Sequence, residues 1–563
     1  MSRTRGFTTK YIFVSGGVLS GLGKGLCAAS LGFLLKRRGY SVSSLKCENY
    51  LNIDSGTINP IEHGDPFLCD DGLEADMDLG TYERILNQNM GFSNFVTKGQ
   101  IFKTIIDRER SMYYGGETVE DIPHVTQEIV SKIKKAGKGS DFCIVEIGGT
   151  VGEYQNVLYY EAARFLKVKY PGTVVDVHVS YLPIPRHLGE PKTKPTQMSV
   201  RTLMSMGINP EFLVLRSEYD LDQRRRSLLG TKSGVPGNNV IMAKDLHNIY
   251  ELPVNFANQD FDKKILKHFN LPINRLNISD WKDLIKKVDL HRKRTNVKKQ
   301  ITIVIAGKYL SKNEGDFELT DAYHALIEAI KHASWHSNIY VKIKMVNTTK
   351  LNKDYLLQFK DVDGIIVPIG WGKRGVTGKI KAIKYAREHK IPYLGLCYGM
   401  QLATIEFARN VVKIKGADTE ETNPNAKNKI IHSIPFDKKY QVIKGTGTSM
   451  RLGAYDCVLK KNTLAHNIYA IHNEFKDKKR NLISERHRHR FEFNNEYRKA
   501  LEEKGMVFSG TSPDDFFVEY IELKKELHPF FIATQAHPEY KSRPLKPHPV
   551  FIEFLKAAKS YYS

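Results

Sequence analysis

A chain of 563 residues is too long for one hydrophobic core, since single domains stop growing at about 250–300 residues, so two domains are expected. Hydrophobic residues at 41% and charged residues at 26% exclude global disorder, and no apolar run approaches the roughly 20 residues of a membrane helix. The formal charge of +23 suits an acidic partner and leaves nucleic acid, anionic membrane and polyphosphate nucleotides open.

The start, Met1–Lys10, is polar and lacks the apolar stretch of a secretory signal. Six scattered cysteines with no CxxC suit a reducing, cytoplasmic setting. Tyr11–Ser15 (YIFVS) reads as a buried strand, followed by the glycine-rich Ser15–Gly25 (SGGVLSGLGKG) and a helical stripe of Leu26, Leu31, Leu34 and Leu35. A glycine loop between strand and helix turns its amides inward, and the helix N-terminus favours an anion. Lys24 is placed to reach terminal phosphates. The spacing departs from the usual phosphate loop: five residues separate Gly17 from Gly23, and Gly25 stands where Ser or Thr normally holds magnesium. Carboxylates must then hold the metal. Asp76 and Asp78 (GLEADMDLG) and Glu146, at the end of the strand FCIVEI, are the candidates. Lys192–Gln197 (KTKPTQ) offers two ammonium groups, two hydroxyls and an amide, a composition suited to a triphosphate and equally to a surface loop.

The basic stretch Lys286–Lys299 precedes a fresh strand, Ile301–Gly307, and reads as an inter-domain linker. Expected limits are 1–277, a linker over 278–300, and 301–563. Both halves alternate strands and helices, which predicts an α/β protein with two doubly wound parallel sheets and ligands at the C-terminal ends of the strands. In the second half, Cys397 (GLCYGMQ) follows an apolar strand and opens a helix, the setting of a nucleophile on a sharp turn whose helix N-terminus favours the thiolate. His537 in QAHPEY supplies a base, and Glu539 two residues on would lie on the same side of an extended chain and orient the imidazole. Together they predict thiolate acyl transfer.

These motifs, with HGDPF, DGLEADMDLGTYER, VEIGGTVG, GEPKTKPTQ, GKY, SMRLGAYD and ERHRHRFE, resemble the CTP synthase family from Lys10 to about Lys559. The resemblance implies a P-loop amidoligase domain and a flavodoxin-like class I glutamine amidotransferase domain. It implies ATP-dependent amination of UTP to CTP with ammonia from L-glutamine, magnesium as cofactor, GTP as allosteric activator, CTP as inhibitor, and a homotetramer able to form filaments. By motif, ATP falls to Gly21, Leu22, Gly23, Lys24, Gly25, Leu26, Asp78, Lys244, Asp245 and Leu246, with Arg216 close by. Magnesium falls to Asp78 and Glu146. UTP and CTP fall to Ser20, Lys46, Glu153, Tyr154, Gln155, Lys192, Thr193, Lys194, Pro195, Thr196 and Gln197. Glutamine falls to Gly370, Tyr398, Gly399, Met400, Gln401, Glu420 (ammonium) and Arg490 (carboxylate), with the Tyr398 amide as oxyanion donor. No nucleic-acid or membrane partner is implied, and the chain lacks any aromatic-basic RNA motif or zinc module.

Several positions depart from the family pattern. Ile369 replaces the first glycine of a PGGFG turn, and a β-branched residue there would strain the turn if φ were positive. Glu153, Tyr154 and Gln155, with Leu228 and Lys232, alter segments near the acceptor nucleotide, and Glu48 replaces an Asp. The loop of residues 310–323, near the family's GTP and glutamine region, is longer. Two alternatives therefore stand beside UTP amination: a related amidoligase for a modified nucleotide, and a non-catalytic filament-forming paralogue.

Overall fold

The computed structural model describes residues 9–60, 64–185, 187, 189–246, 248–295, 300–310, 320–351, 355–435 and 449–562. His63 of HGDPF, residues 296–299 of the basic stretch and residues 311–319 of the longer loop lie outside them. The chain forms two compact units, one of residues 1–56 and 78–285, the other of residues 57–77 and 286–563.

The first unit is built on a seven-stranded, wholly parallel sheet. In spatial order its strands are Phe95–Thr97, Val42–Glu48, Phe142–Ile147, Lys10–Gly17, Val174–Tyr181, Phe212–Ser217 and Val240–Lys244. The strands Phe142–Ile147 and Val174–Tyr181 are buried almost throughout, as expected for strands covered by helices on both faces. Strand order reverses around Lys10–Gly17, and a reversal of this kind opens a crevice at the C-terminal strand ends. The phosphate-loop candidate follows that strand. Helix Ser279–Thr295 takes up most of the expected linker. Its Trp281 is fully buried, packs at a tilt on Phe33 with ring centroids 4.5 Å apart, and donates its indole N–H to the Tyr250 carbonyl at 2.8 Å.

The second unit has a nine-stranded sheet. Its first five strands, Val341–Asn347, Ile301–Gly307, Gly364–Val367, Tyr393–Leu396 and Phe531–Thr534, are parallel, as the alternating pattern predicts. The sheet then continues through four antiparallel strands, Val518–Leu523, Met506–Thr511, Arg451–Leu459 and Leu482–His489. This extension has its own signature: Leu482–His489 alternates cleanly, placing Arg486 and Arg488 on one face and Glu485, His487 and His489 on the other. The arginine face holds the segment Thr57–Met77. Arg486 pairs with Asp70 and Arg488 with Glu74 and Asp65, while the Tyr540 hydroxyl donates to Asp65 at 3.0 Å. Asp65, Pro66 and Phe67 of HGDPF and the DGLEADM part of DGLEADMDLGTYER thus belong to the thiol-bearing unit, and the first unit resumes at Asp78.

Candidate functional sites

In the first unit, Gly23 caps helix Lys24–Arg37 with φ +78°, and Gly21 has φ +73°, so the loop needs the left-handed region at both. Lys24 lies across Gly16, where any Cβ would come within 2.5 Å of its Cδ. Its Nζ donates to the Gly149 carbonyl at 2.8 Å, a neutral partner that leaves the charge available to an anion. Beneath the loop, a wholly buried His178 links Ser15 Oγ (2.8 Å from Nδ1) to Ser199 Oγ (2.7 Å from Nε2). Burial pushes this imidazole down to about 3, so it is neutral at ordinary pH. It ties the phosphate-loop strand to helix Lys194–Ser205. No sequence signal marked His178, because a buried bridging histidine has no motif.

Lys46 and Glu146 are register partners on adjacent parallel strands, which sets their side chains side by side. Lys46 Nζ lies 2.7 Å from Glu146 Oε1, 2.6 Å from Asp78 Oδ2 and 3.4 Å from Glu48 Oε1. Tyr82 donates to Glu146 Oε2 at 2.8 Å. A Cβ built on Gly25 would sit 3.0 Å from Asp78 Oδ1 and 3.2 Å from Glu146 Oε2. Gly25 therefore takes the Ser/Thr position because two carboxylates fill the space a side chain would need. Two hard oxygen donors facing a phosphate loop fit magnesium, which takes one or two carboxylates and completes its shell with phosphate oxygens and water. Among the described residues no three His, Cys, Asp or Glu side chains form an all-protein cage.

The other first-unit candidates divide. Glu153 is tied into its own loop, accepting from the Thr150 amide (2.7 Å), Thr150 Oγ1 (2.6 Å) and Asn49 (3.1 Å), while Tyr154 is 93% exposed and Gln155 is exposed. In the segment 192–197, Lys192 pairs with Glu190, Lys194 is exposed and Pro195 lies in the first turn of helix Lys194–Ser205. Thr196 and Gln197 are buried, and Gln197 donates to Thr193 Oγ1 at 3.0 Å. Ser20 is exposed and Leu26 half-buried. Lys244 and Asp245 are exposed beside a half-buried Leu246, at the end of strand Val240–Lys244, and Arg216 donates to Asp245 at 2.8 Å.

In the second unit, Cys397 joins strand Tyr393–Leu396 to helix Tyr398–Phe407 with φ 52° and ψ −102°, a strained conformation outside the ordinary wells. Its amide donates to the Thr534 carbonyl at 2.8 Å, and the Gln535 amide approaches the sulfur at 3.5 Å. A side chain on Gly399 would meet the Val367 carbonyl at 2.0 Å, so the helix start packs directly on the neighbouring strand end. Met400 is fully buried, and Gln401 donates to the Phe491 carbonyl at 2.8 Å. His537 Nδ1 and Glu539 Oε1 are 2.8 Å apart and both residues are buried. The chain is not extended between them: a tight turn over Pro538–Lys541 brings the carboxylate round. Burial opposes the imidazolium, but the Cys397 sulfur and the Glu539 carboxylate outweigh it and raise His537 to about 10. The other five cysteines are buried and form no disulfide.

Ile369 is buried and is not among the positive-φ residues, so the expected strain does not arise. Its carbonyl and that of Pro368 accept from the fully buried Lys379 at 2.9 and 2.6 Å. Lys308 Nζ donates to the carbonyls of Trp371 and Gly372. A Cβ on Gly370 would meet both lysines at 3.0 Å. Glu420 points elsewhere than expected: it accepts from Lys429 at 2.6 Å and from the Ser433 amide at 2.8 Å, which hold its carboxyl down at about 2. Glu421 reaches the turn instead, accepting from the Gly372 amide at 2.5 Å. Burial raises its carboxyl, and the Gly372 N–H, Lys308 and Arg490 pull it back. The adjacent pair Glu420-Glu421 made the choice invisible in sequence, because only the strand pairing decides which side chain turns inward.

Comparison with known proteins shows that the chain belongs to the CTP synthase family. The family model described as CTP synthase N-terminus matches residues 10–271, and that of glutamine amidotransferase class-I matches residues 318–557. The chain is 45% identical to the CTP synthase of Caldanaerobacter subterraneus, over 97% of this chain and 98% of that protein. It is 43% identical to those of Bacillus subtilis and Methanocaldococcus jannaschii, in each case over 98% of both proteins. Among solved structures, the glutaminase domain of Trypanosoma brucei CTPS with bound acivicin is 32% identical, covering 46% of this chain and 94% of that one with a TM-score of 0.40.

Proposed function

From the membership of this chain in the CTP synthase family, we propose that it aminates UTP to CTP, with ATP as phosphoryl donor and L-glutamine as nitrogen source. The observation that carries the reading is that one chain holds both a lysine-bearing phosphate loop facing paired carboxylates and a strained Cys397 beside a coupled His537–Glu539 pair. Neither chemistry alone calls for the other.

In the first unit, the amides of Gly21–Leu26 and the Lys24 ammonium hold the ATP phosphates, with Lys244, Asp245 and Leu246 toward the base. Lys46 and the 192–197 segment hold the UTP phosphates. ATP phosphorylates the uracil 4-oxygen, which turns a poor leaving group into a good one for ammonia. Magnesium on Asp78 and Glu146, when bound, offsets phosphate charge during this transfer.

In the second unit, Cys397 attacks the glutamine amide carbon. His537 takes the thiol proton and returns it to the departing nitrogen, so ammonia leaves as the thioester forms; water then releases glutamate. Glu539 keeps the imidazole oriented and stabilises its charged form. The Tyr398 amide at the helix start, with the Ile369 amide, donates to the oxyanion. Glu421 takes the substrate ammonium in place of Glu420, and Arg490 takes its carboxylate. GTP activation, CTP inhibition and tetramer or filament assembly follow from family membership as further parts of the proposal.

The test is CTP formation by purified protein from UTP, ATP and Mg²⁺, with glutamine or ammonia as donor, against a panel of nucleoside triphosphates. Amination of another nucleotide in preference to UTP would replace the acceptor. No product with either donor while ATP is bound would leave the filament-forming paralogue as the reading.

A further inference from the structure

Lys46 is only 5% exposed in its side chain and stands among three carboxylates, at 2.6 Å from Asp78, 2.7 Å from Glu146 and 3.4 Å from Glu48. It uses one oxygen of Asp78 and one of Glu146. The other two, Asp78 Oδ1 and Glu146 Oε2, face Gly25, on the phosphate-loop side, and Glu146 Oε2 also accepts from the Tyr82 hydroxyl at 2.8 Å. The same carboxylate pair therefore presents one edge to a resident ammonium and the other to the place where phosphates and a divalent cation would come.

We propose that Lys46 is a counter-ion latch on the metal site: it holds Asp78 and Glu146 against divalent cations until a nucleotide's phosphates draw its ammonium away. The proposal rests on Asp78 and Glu146 being the magnesium pair. Glu146, 1% exposed, needs a cation beside it, while Asp78, whose side chain is 41% exposed, opens the pair to solution, so without Lys46 the pair would take up any divalent ion. A lysine suits the task because its point charge sits on a flexible stem and changes partner without backbone movement. Lys24 is not engaged in this way, since it donates to the Gly149 carbonyl. Glu48 gives the latch somewhere to go. Its carboxylate lies within ion-pair reach of Lys46, at the end of the same strand, so the ammonium can leave the metal pair without losing a counter-charge.

The test uses Mn²⁺ as the probe, with free Mn²⁺ read by electron paramagnetic resonance on the full chain without nucleotide. Lys46→Met should bind Mn²⁺ at least tenfold more tightly than the parent. Added UTP or ATP should tighten Mn²⁺ binding by the parent and do so far less in the variant. Asp78→Asn should lose the Mn²⁺ site in either background. Unchanged or weaker Mn²⁺ binding by Lys46→Met, with the site still lost in Asp78→Asn, overturns the latch and spares the metal pair. Mn²⁺ binding indifferent to Asp78→Asn overturns the metal pair itself. Should Lys46→Met fold poorly, Lys46→Gln serves through melting: Mn²⁺ should raise its Tm more than it raises the parent's, and an equal shift counts against the latch.

Discussion

The two candidate sites solve opposite electrostatic problems. The nucleotide site must receive several negative charges, and without them its own ions pair with one another: Lys46 with Asp78, Glu146 and Glu48, and Arg216 with Asp245. The thiol site handles a neutral amide, and its groups stand ready: Cys397 in its strained turn, His537 held by Glu539, and the adjoining turn fixed through its carbonyls by two lysines. A site for highly charged ligands has to rearrange when they arrive. A site whose catalysis depends on dipoles aimed at a developing oxyanion loses rate if it does.

Removing the nucleophile gives the largest effect and tests whether the two sites are chemically separate. Cys397→Ala should lower glutamine-dependent CTP formation by about a thousandfold or more, and leave the ammonia-dependent rate near that of the parent. Steady-state rates with each donor decide it. Loss of both activities would break the division between the units.

The next effect distinguishes two neighbouring acids. Glu421→Gln should raise the glutamine KM by about 10–100-fold, the scale of a lost charge-assisted contact, with a smaller change in kcat. Glu420→Gln should change KM by less than about threefold, because its carboxylate serves Lys429 and the Ser433 amide and not the turn that Glu421 reaches. The reverse order would return the substrate ammonium to Glu420.

What sequence could supply, and what it could not, follows from the range of each signal. The loop Ser15–Gly25, the Cys397 turn and the parallel strands were legible because each is local: glycines, apolar runs and strand–turn–helix order lie within about twenty residues. The antiparallel extension was less so, since Arg451–Leu459 and Leu482–His489 look like ordinary strands until their pairing is known. The segment 57–77 reads with its sequence neighbours but packs by its acids, Asp65, Asp70 and Glu74, against arginines more than 400 residues away. The spacing of Glu539 suggests an extended chain beside His537, whereas a tight turn brings it round; the partner is the same because either path spans two residues. Glu421, Gln535 and His178 act through contacts from distant strands that no spacing encodes.

A buried group near the thiol site sharpens the comparison through pH. Glu492 sits in a buried cluster with Arg451, Glu519 and His487, where burial pushes its carboxyl up to about 9 against the pull of Arg451. Its folded value lies above the ordinary 4.5, so the native state keeps a proton that the unfolded chain loses. Below 4.5 both states are protonated; from there to about 9 stability falls as pH rises; above that the slope ends. Glu492→Gln removes this term. Its Tm relative to the parent should climb between pH 5 and 9, by an amount worth roughly a few kcal/mol. Parallel melting curves across that range would mean that the carboxyl ionises freely and the thiol-bearing unit tolerates buried charge as the nucleotide site does.

The smallest effect expected is at Ile369. On sequence alone a β-branched residue there strains the turn if φ is positive, and in that case Ile369→Gly would speed glutamine hydrolysis. The structure removes the premise, because φ at Ile369 is not positive and the turn is set by Lys379 gripping the carbonyls of Pro368 and Ile369. In a trans peptide the N–H points away from the C=O, so a carbonyl drawn to Lys379 sends the Ile369 amide to the opposite side whatever side chain follows. Ile369→Gly should therefore leave kcat for glutamine within about twofold of the parent and lower Tm slightly, since it exposes a buried aliphatic contact and adds backbone freedom to the unfolded chain. A several-fold gain in kcat would show that the side chain, and not the lysine grip, sets the turn.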